Sequence, residues 1–266
     1  MTMHHLARIR DCKDATEVHR GARLRVRLAQ TWGEVEAAQR LRWRVFSEEL
    51  GAQLQGRSGV DHDRFDDHCD HLIALDQASG RVIGTYRLLT PAGASRAGGL
   101  YCESEFDLTR LGHLRGSMME VGRACVDPVW RGSAVLSQMW GTMYRFALQH
   151  RVETIVGCAS VSIADNGLYA ADLALSLESA LVDPESRVTP HNPFDYRQIA
   201  SGQPIDPPTL IKAYLKAGAK VGGTPAFDSD FNCADFLMIL PLQQMSARFA
   251  KRFEGAVARA DHLLAA

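Results

Sequence analysis

The chain has 266 residues, of which 46% are hydrophobic and 23% charged, with a formal net charge of −1. These values lie inside the range of globular proteins, so the chain can bury a full core, and its charge gives no support to a nucleic-acid partner. The apolar residues come in short runs, the longest clear one being FLMIL (Phe236–Leu240), far below the roughly 20 residues of a membrane-spanning helix. The opening MTMHHLARIR lacks the apolar stretch and small-residue cleavage site of a secretory signal, so a cytoplasmic protein is expected. The cysteines (Cys12, Cys69, Cys102, Cys125, Cys158, Cys233) include no CxxC pair, which suits reduced and mostly buried thiols better than a disulfide framework or a zinc ribbon.

Residues 1–23 show no clear periodicity and read as an extension, and the basic excess of the first 27 residues would favour an acidic partner or an anionic lipid surface. LRVRLA (Leu24–Ala29) alternates apolar and basic residues as a half-buried strand does. Thr31 and Glu34 form a capping-box pattern, after which Val35, Ala38, Leu41, Val45, Phe46 and Leu50 recur at helical spacing until Gly51. HLIALD (His71–Asp76), a turn at QASG and RVIGTYRLL (Arg81–Leu89) predict a hairpin. A strand over Met118–Asp127, a helix opening at Ser133 with Val135, Met139, Trp140, Met143 and Phe146 on one face, and a strand TIVGCA (Thr154–Ala159) make a strand-helix-strand unit. Asn166–Ser179 reads as helix, 183–208 as irregular and proline-rich, Leu210–Leu215 as a short helix, and FLMILPL (Phe236–Leu242) as a closing strand. The tail from Gln243 is expected to be helical, with Met245, Phe249, Phe253 and Val257 four apart. The fold class is α/β (α+β): an extension at 1–23, one domain over 24–242 with a central mixed sheet flanked by helices, and an amphipathic helix at 243–266.

Groups able to do chemistry concentrate after Met118. The turn VWRGS leads directly into a helix, so the backbone N–H groups around Arg131, Gly132 and Ser133 lie at a positive helix end that suits a phosphate. Glu120 is a carboxylate on an otherwise apolar strand, a costly placement unless the group is paired or functional. Arg123 is its obvious partner, and the pair reads either as a structural salt bridge or as a proton-accepting site. Residues three apart on a regular strand face opposite ways, so the two can share a cleft only across a bulge, which Gly122 would permit.

The string EVGRACV, together with Arg87, with Asp63 and Asp66 in DRFD, and with Arg42 and Phe46 in RWRVFSEELG, resembles the acyl-homoserine-lactone synthases and their relatives in the GNAT superfamily. Within that group GCAS (Gly157–Ser160), IKAYLKAGAKVGG (Ile211–Gly223) and DFNCADFLMILP (Asp230–Pro241) look most like the L-ornithine Nα-acyltransferases of ornithine lipid synthesis, and the match runs in order over residues 24–242. The resemblance implies a GNAT-type domain that moves a 3-hydroxyacyl group from acyl carrier protein to the α-amine of L-ornithine. It implies no permanently bound cofactor and no metal, the donor being the carrier's phosphopantetheine arm. Glu120 then resembles the residue that activates the amine, while Arg123, Arg87, Asp63 and Asp66, with Arg42 and Phe46, shape the acceptor side. Backbone N–H groups at Ala124, Cys125 and Val126 would hold the oxyanion. The family's phosphate loop usually has two glycines, whereas RGSAVL has one, a departure that favours a carrier protein over coenzyme A. Carrier docking is expected at Arg131, Arg145 and Arg151.

DHDRFDDHCDH (Asp61–His71) mixes His62, His68, Cys69 and His71 with carboxylates, but its spacing fits no standard zinc pattern, and a polar loop at a cleft mouth is the preferred reading. Tyr169 is a candidate acid for the leaving thiolate. The apolar stripe of the tail is read first as packing against its own domain, and Arg248, Lys251, Arg252 and Arg259 beside it allow peripheral contact with an anionic membrane as the alternative. Acyl transfer to another amine such as glycine, tyrosine or a homoserine-lactone precursor, and a catalytically silent module that binds an acylated carrier or a lipid, are the alternatives.

Overall fold

The structure, a computed structural model, describes residues 24–54, 59–246 and 249. The N-terminal extension and most of the expected C-terminal helix therefore lie outside the described residues. β1 (Leu24–Leu28) leads into α1 (Trp32–Trp43), where the N-cap Thr31 side chain accepts from the Glu34 N–H. The reciprocal arm of the capping box is shifted by one residue. The Glu34 carboxylate accepts from the Gln30 N–H and from the Arg27 guanidinium, which ties the helix start to β1. The expected helical stretch does not stay α-helical: it continues as a π-helical turn at Arg44–Glu49 and ends where Gly51 adopts a φ of 77°.

The predicted hairpin forms as β2 (Asp70–Asp76) and β3 (Val82–Leu89). A stretch with no legible periodicity follows, holding α2 (Pro91–Ala97), a 3-10 turn at Tyr101–Ser104, β4 (Phe106–Asp107) and a 3-10 segment at Thr109–Ser117. Next come β5 (Met118–Val126), α3 (Ser133–Gln149), β6 (Thr154–Ser162), α4 (Leu168–Ser176), β7 (Thr189–Pro190), α5 (Tyr196–Ile199) and α6 (Thr209–Ala217). β8 (Lys220–Val221), β9 (Ala226–Asp228) and β10 (Cys233–Pro241) close the domain, and Leu242–Gln244 form a single 3-10 turn. β6 and β10 are each longer than their apolar runs suggest. Their polar ends pair with each other, Ser160 against Asp235 and Ser162 against Cys233, so ladder hydrogen bonds extend both strands beyond the hydrophobic signal. No helix among the described residues is long and apolar enough to cross a membrane.

The main sheet is mixed, in the order β1-β2-β3-β5-β6-β10-β8, with β9 also on β10, while β4 and β7 pair separately. One face packs α3, α4 and α6 through Trp140, Met143, Leu173, Tyr214 and the inward residues of the strands. On the other face α1 covers Ile73, Val82 and Cys125, and α2 with the 3-10 segments covers Leu89, Met118, Val156 and Ile239.

Every neighbouring pair in this sheet is antiparallel except β5 with β6, which run parallel and pair only over Met118–Thr154, Met119–Ile155 and Glu120–Val156. Both strands continue beyond that point, β5 held by β3 and β6 by β10, so the sheet opens into a fork. Gly157 sits at its apex, where a Cβ would fall onto the carbonyl oxygen of Val121. Gly157→Ala is expected to cost about 1–3 kcal/mol by forcing the two backbones apart. Gly122→Ala, whose Cβ would meet nothing within 4 Å, is expected to cost less than about 1 kcal/mol. Urea unfolding of the two variants side by side checks this, and equal losses would contradict the close approach.

Candidate active site

The β3–β5 register shows how Glu120 and Arg123 come to share a cleft. Leu89 faces Glu120 and Arg87 faces Gly122, but Thr85 faces Cys125, so two steps on β3 match three on β5. The extra residue is a bulge centred on Arg123, whose φ is 50°. The bulge next to Gly122 anticipated from the sequence is present, with arginine rather than glycine in the left-handed conformation. That placement costs on the order of 1–2 kcal/mol and needs compensation from the surroundings.

The compensation comes from a buried network of guanidinium and carboxylate groups. Arg42, with 0% exposure, places Nε 2.7 Å from Asp61 Oδ2 and Nη2 2.8 Å from Asp66 Oδ1. Arg87 Nη1 lies 2.6 Å from Asp63 Oδ1 and 3.0 Å from Asp66 Oδ2. Arg123 reaches Asp61 at 3.3 Å and Asp63 at 3.2 Å, and its guanidinium lies 5.0 Å from the Tyr101 ring centroid and 4.9 Å from that of Phe231. Burial opposes ionisation of Asp66, but the positive charges of Arg42 and Arg87 outweigh it and hold its pKa below the ordinary carboxylate value. Burial keeps His71 neutral, and its Nε2 lies 3.1 Å from the Asp66 carbonyl oxygen, so the ring donates there as the Nε2–H tautomer. The carboxylates of DHDRFDDHCDH that reach the interior are thus engaged by arginines.

Glu120 is 5% exposed, and each of its oxygens accepts one backbone N–H, from Tyr101 at 2.6 Å and from Cys102 at 2.8 Å. Burial raises its pKa, opposed by the Cys102 thiol and these two N–H groups. The carboxylate both anchors the 3-10 turn and faces a cavity of about 260 Å³ that fills the fork. Phe46, Arg87, Arg123 and Ala124 line the same cavity, and Phe46 packs edge-on against Phe231 with centroids 5.9 Å apart. Arg42, Asp63 and Asp66 stand behind this wall and orient Arg87 and Arg123.

The structure does not bring the remaining candidates into the cavity lining. Cys125 and Val126 pair with β3, and Cys125 is buried against α1, so of the three oxyanion candidates Ala124 is the one at the cavity. Arg131, Gly132 and Ser133 stand at the start of α3, beyond the C-terminal end of β5 and hence at the open end of the fork. Arg131 forms a two-point ion pair with Glu49, at 2.5 and 2.6 Å. Arg151 follows the far end of the 17-residue α3, about 25 Å from Arg131, so the three arginines expected to dock a carrier do not make one patch. The Tyr169 hydroxyl donates to the Asp206 carbonyl at 3.0 Å, and Tyr169 is not at the cavity.

Sequence reasoning did not pick out Asp61, Tyr101, Asp228, Phe231 or Asp235. Asp235 carried the signal that singled out Glu120, a carboxylate inside an apolar strand, in CADFLMILP.

A model of the GNAT acetyltransferase domain matches residues 41–141. The chain is 33% identical to the L-ornithine Nα-acyltransferase of Brucella abortus, over 89% of this chain and 90% of that protein. It is 36% identical to the enzyme of the same name from Rhizobium meliloti, over 86% and 83%. Among solved structures it resembles FeeM, an N-acyl amino acid synthase from uncultured soil microbes, with a TM-score of 0.52 at 13% identity, covering 84% of this chain and 93% of FeeM.

The arginine network has a measurable consequence. A carboxylate whose folded-state pKa is depressed stabilises the fold above its ordinary pKa, and this contribution disappears as pH falls toward the depressed value. Arg42→Met leaves Asp61 and Asp66 buried without their main partner and is expected to lose about 3–5 kcal/mol at pH 7. The deficit should shrink at pH 4, where Asp66, relieved of the Arg42 charge that holds its pKa down, takes up a proton more readily. Urea unfolding at both pH values checks this, and a small, pH-independent loss would contradict it.

Proposed function

Since the chain belongs to the L-ornithine Nα-acyltransferase family and is therefore an acyltransferase, we propose that it transfers a fatty acyl group from the phosphopantetheine thioester of acyl carrier protein to the α-amine of L-ornithine. The single observation that carries this reading is the fork: a buried carboxylate, Glu120, faces a cavity exactly where two parallel strands part. Beyond Glu120 no further β5–β6 pair occurs among the described residues, so backbone donors on the opened edge are available to a thioester lying between the strands. Those near Ala124 are suited to bind the oxygen that becomes negative when the amine attacks.

The pantetheine arm enters from the open end of the fork, where the first N–H groups of α3 at Gly132 and Ser133 favour its phosphate. Arg131, tied to Glu49, fixes that turn. The acceptor lies over the Arg87–Arg123 wall, its carboxylate toward Arg123. Glu120, made more basic by burial, takes the proton from the ammonium directly or through one water. The nitrogen then adds to the thioester carbonyl, the tetrahedral intermediate collapses to the amide, and the carrier thiol leaves. The product is a lyso-ornithine lipid, and the one-glycine loop favours a carrier protein over coenzyme A as donor.

Incubation with ornithine and 3-hydroxyacyl carrier protein, read by mass spectrometry, should give the α-amide, with the coenzyme A thioester a poorer donor. Glu120→Gln preserves the side-chain shape and one of the two oxygens that accept the Tyr101 and Cys102 N–H groups, and a folded variant is expected to lower turnover by about 10²–10⁴-fold. A folded Glu120→Gln protein with undiminished turnover would remove Glu120 from the mechanism, and thioester binding without consumption by the wild type would leave a silent carrier-binding module instead.

A further inference from the structure

The cavity has a second charged wall, and nothing in the acyl-transfer step described above uses it. β10 is buried over nearly its whole length, yet it carries Asp235 at 2% exposure. β9 sets Asp228, 8% exposed, against Cys233 two residues away. Both carboxylates line the fork. Ladder pairing places Asp235 on the same face of the sheet as Glu120, since Glu120 faces Val156 and Asp235 faces Ser160, two alternations further along β6.

The two walls differ in charge balance. Arg42, Arg87 and Arg123 are matched by Asp61, Asp63 and Asp66. On the β9–β10 side no ion pair reaches Asp228 or Asp235 among the described residues. Asp228 Oδ1 is used to close a turn, accepting from the N–H groups of Asp230 and Phe231. Asp235 accepts only uncharged donors, the Cys233 thiol at 3.4 Å and the Ser160 hydroxyl. The Arg123 charge on the facing wall acts on Asp235 more weakly than burial and Asp228 do, and a carboxylate buried to this degree without an ion pair is costly. Burial and the neighbouring Asp228 push the Asp235 pKa up to about 6, and burial with Asp235, Asp228 and Asp230 pushes that of Glu105 to about 7.

We propose that Asp228 and Asp235 form the subsite that takes the side-chain ammonium of a diamino acid acceptor, at the end of the fork opposite the α-amine. This rests on the reading that the accepted amine is ornithine. An organic cation fits better than a metal ion. The third group of the cluster, Cys233, has its thiol pKa driven upward by burial and by the two aspartates, and it acts as a donor to Asp235 rather than as a thiolate ligand. Position separates the two nitrogens. Val156 and Ser160 are four residues apart on β6, about 13 Å of strand, so Glu120 and Asp235 enter the cavity from different ends of the fork, as two nitrogens at opposite ends of one extended side chain require.

The test compares ornithine with norvaline, which has the same carbon chain without the terminal amine. The wild type is expected to favour ornithine by about a hundredfold or more in kcat/KM. In Asp235→Asn the KM for ornithine should rise at least about tenfold, and the preference over norvaline should collapse. A preference ratio that survives the substitution would overturn the proposal, even if overall activity falls. Asp228→Asn, which keeps the oxygen that closes the turn, carries the same comparison if Asp235→Asn does not fold. Calorimetric binding of both amino acids without any acyl donor separates this proposal from the acylation reading. Tighter binding of ornithine that is lost in the variants upholds the subsite even if no amide forms, in which case the acylation reading alone fails. Equal binding of ornithine and norvaline by the wild type overturns the subsite.

Discussion

The guanidinium of Arg42, shut off from water between Asp61 and Asp66, is the interaction on which the rest of the site depends. A buried charge of this kind adds little net stability, because desolvation offsets most of the attraction, but it penalises every arrangement in which a partner is missing. It therefore pins the Asp61–Asp66 loop against α1, and that loop presents Asp63 and Asp66 to Arg87 and Asp61 and Asp63 to Arg123. Arg123 can occupy a left-handed backbone conformation because these carboxylates and the rings of Tyr101 and Phe231 receive its side chain.

The bulge at Arg123 and the parting of β5 from β6 belong to one piece of geometry. β5 pairs with β6 up to Glu120, then bulges on its β3 side three residues later, and the strand bends away as the fork opens. Gly157 sets how closely the apex can shut. One strand thereby supplies a carboxylate at the apex, an arginine on the acceptor wall and free backbone donors along the opened edge. These are the parts that amide formation from a thioester requires, and the facing β9–β10 wall adds negative charge for a cationic acceptor.

The framework was legible in the sequence wherever a periodic apolar pattern met a capping or turn signal, as in α1, the β2–β3 hairpin and the β5-α3-β6 unit. The bulge was legible too, because Glu120 and Arg123 are spaced for opposite faces of a regular strand. The stretch from Pro91 to Ser117 was not, since short 3-10 segments have neither a period of 3.6 nor one of 2, and with it went the two N–H groups that hold Glu120. Asp61 was hidden among seven neighbouring acidic and histidine residues, and its role depends on Arg42, nineteen positions earlier. Arg131 looked like a phosphate ligand until the π-helical turn brought Glu49 against it.

The central claim is that the bulge serves to deliver the Arg123 guanidinium to the acceptor wall. Steady-state kinetics and unfolding of Arg123→Gly test it most directly, because glycine accepts the left-handed backbone and preserves the bulge while removing the guanidinium. The expected result is a folded protein whose kcat/KM for the amine acceptor falls by about a hundredfold, corresponding to about 2.7 kcal/mol of lost transition-state binding. A folded Arg123→Gly protein with wild-type kcat/KM would contradict the account.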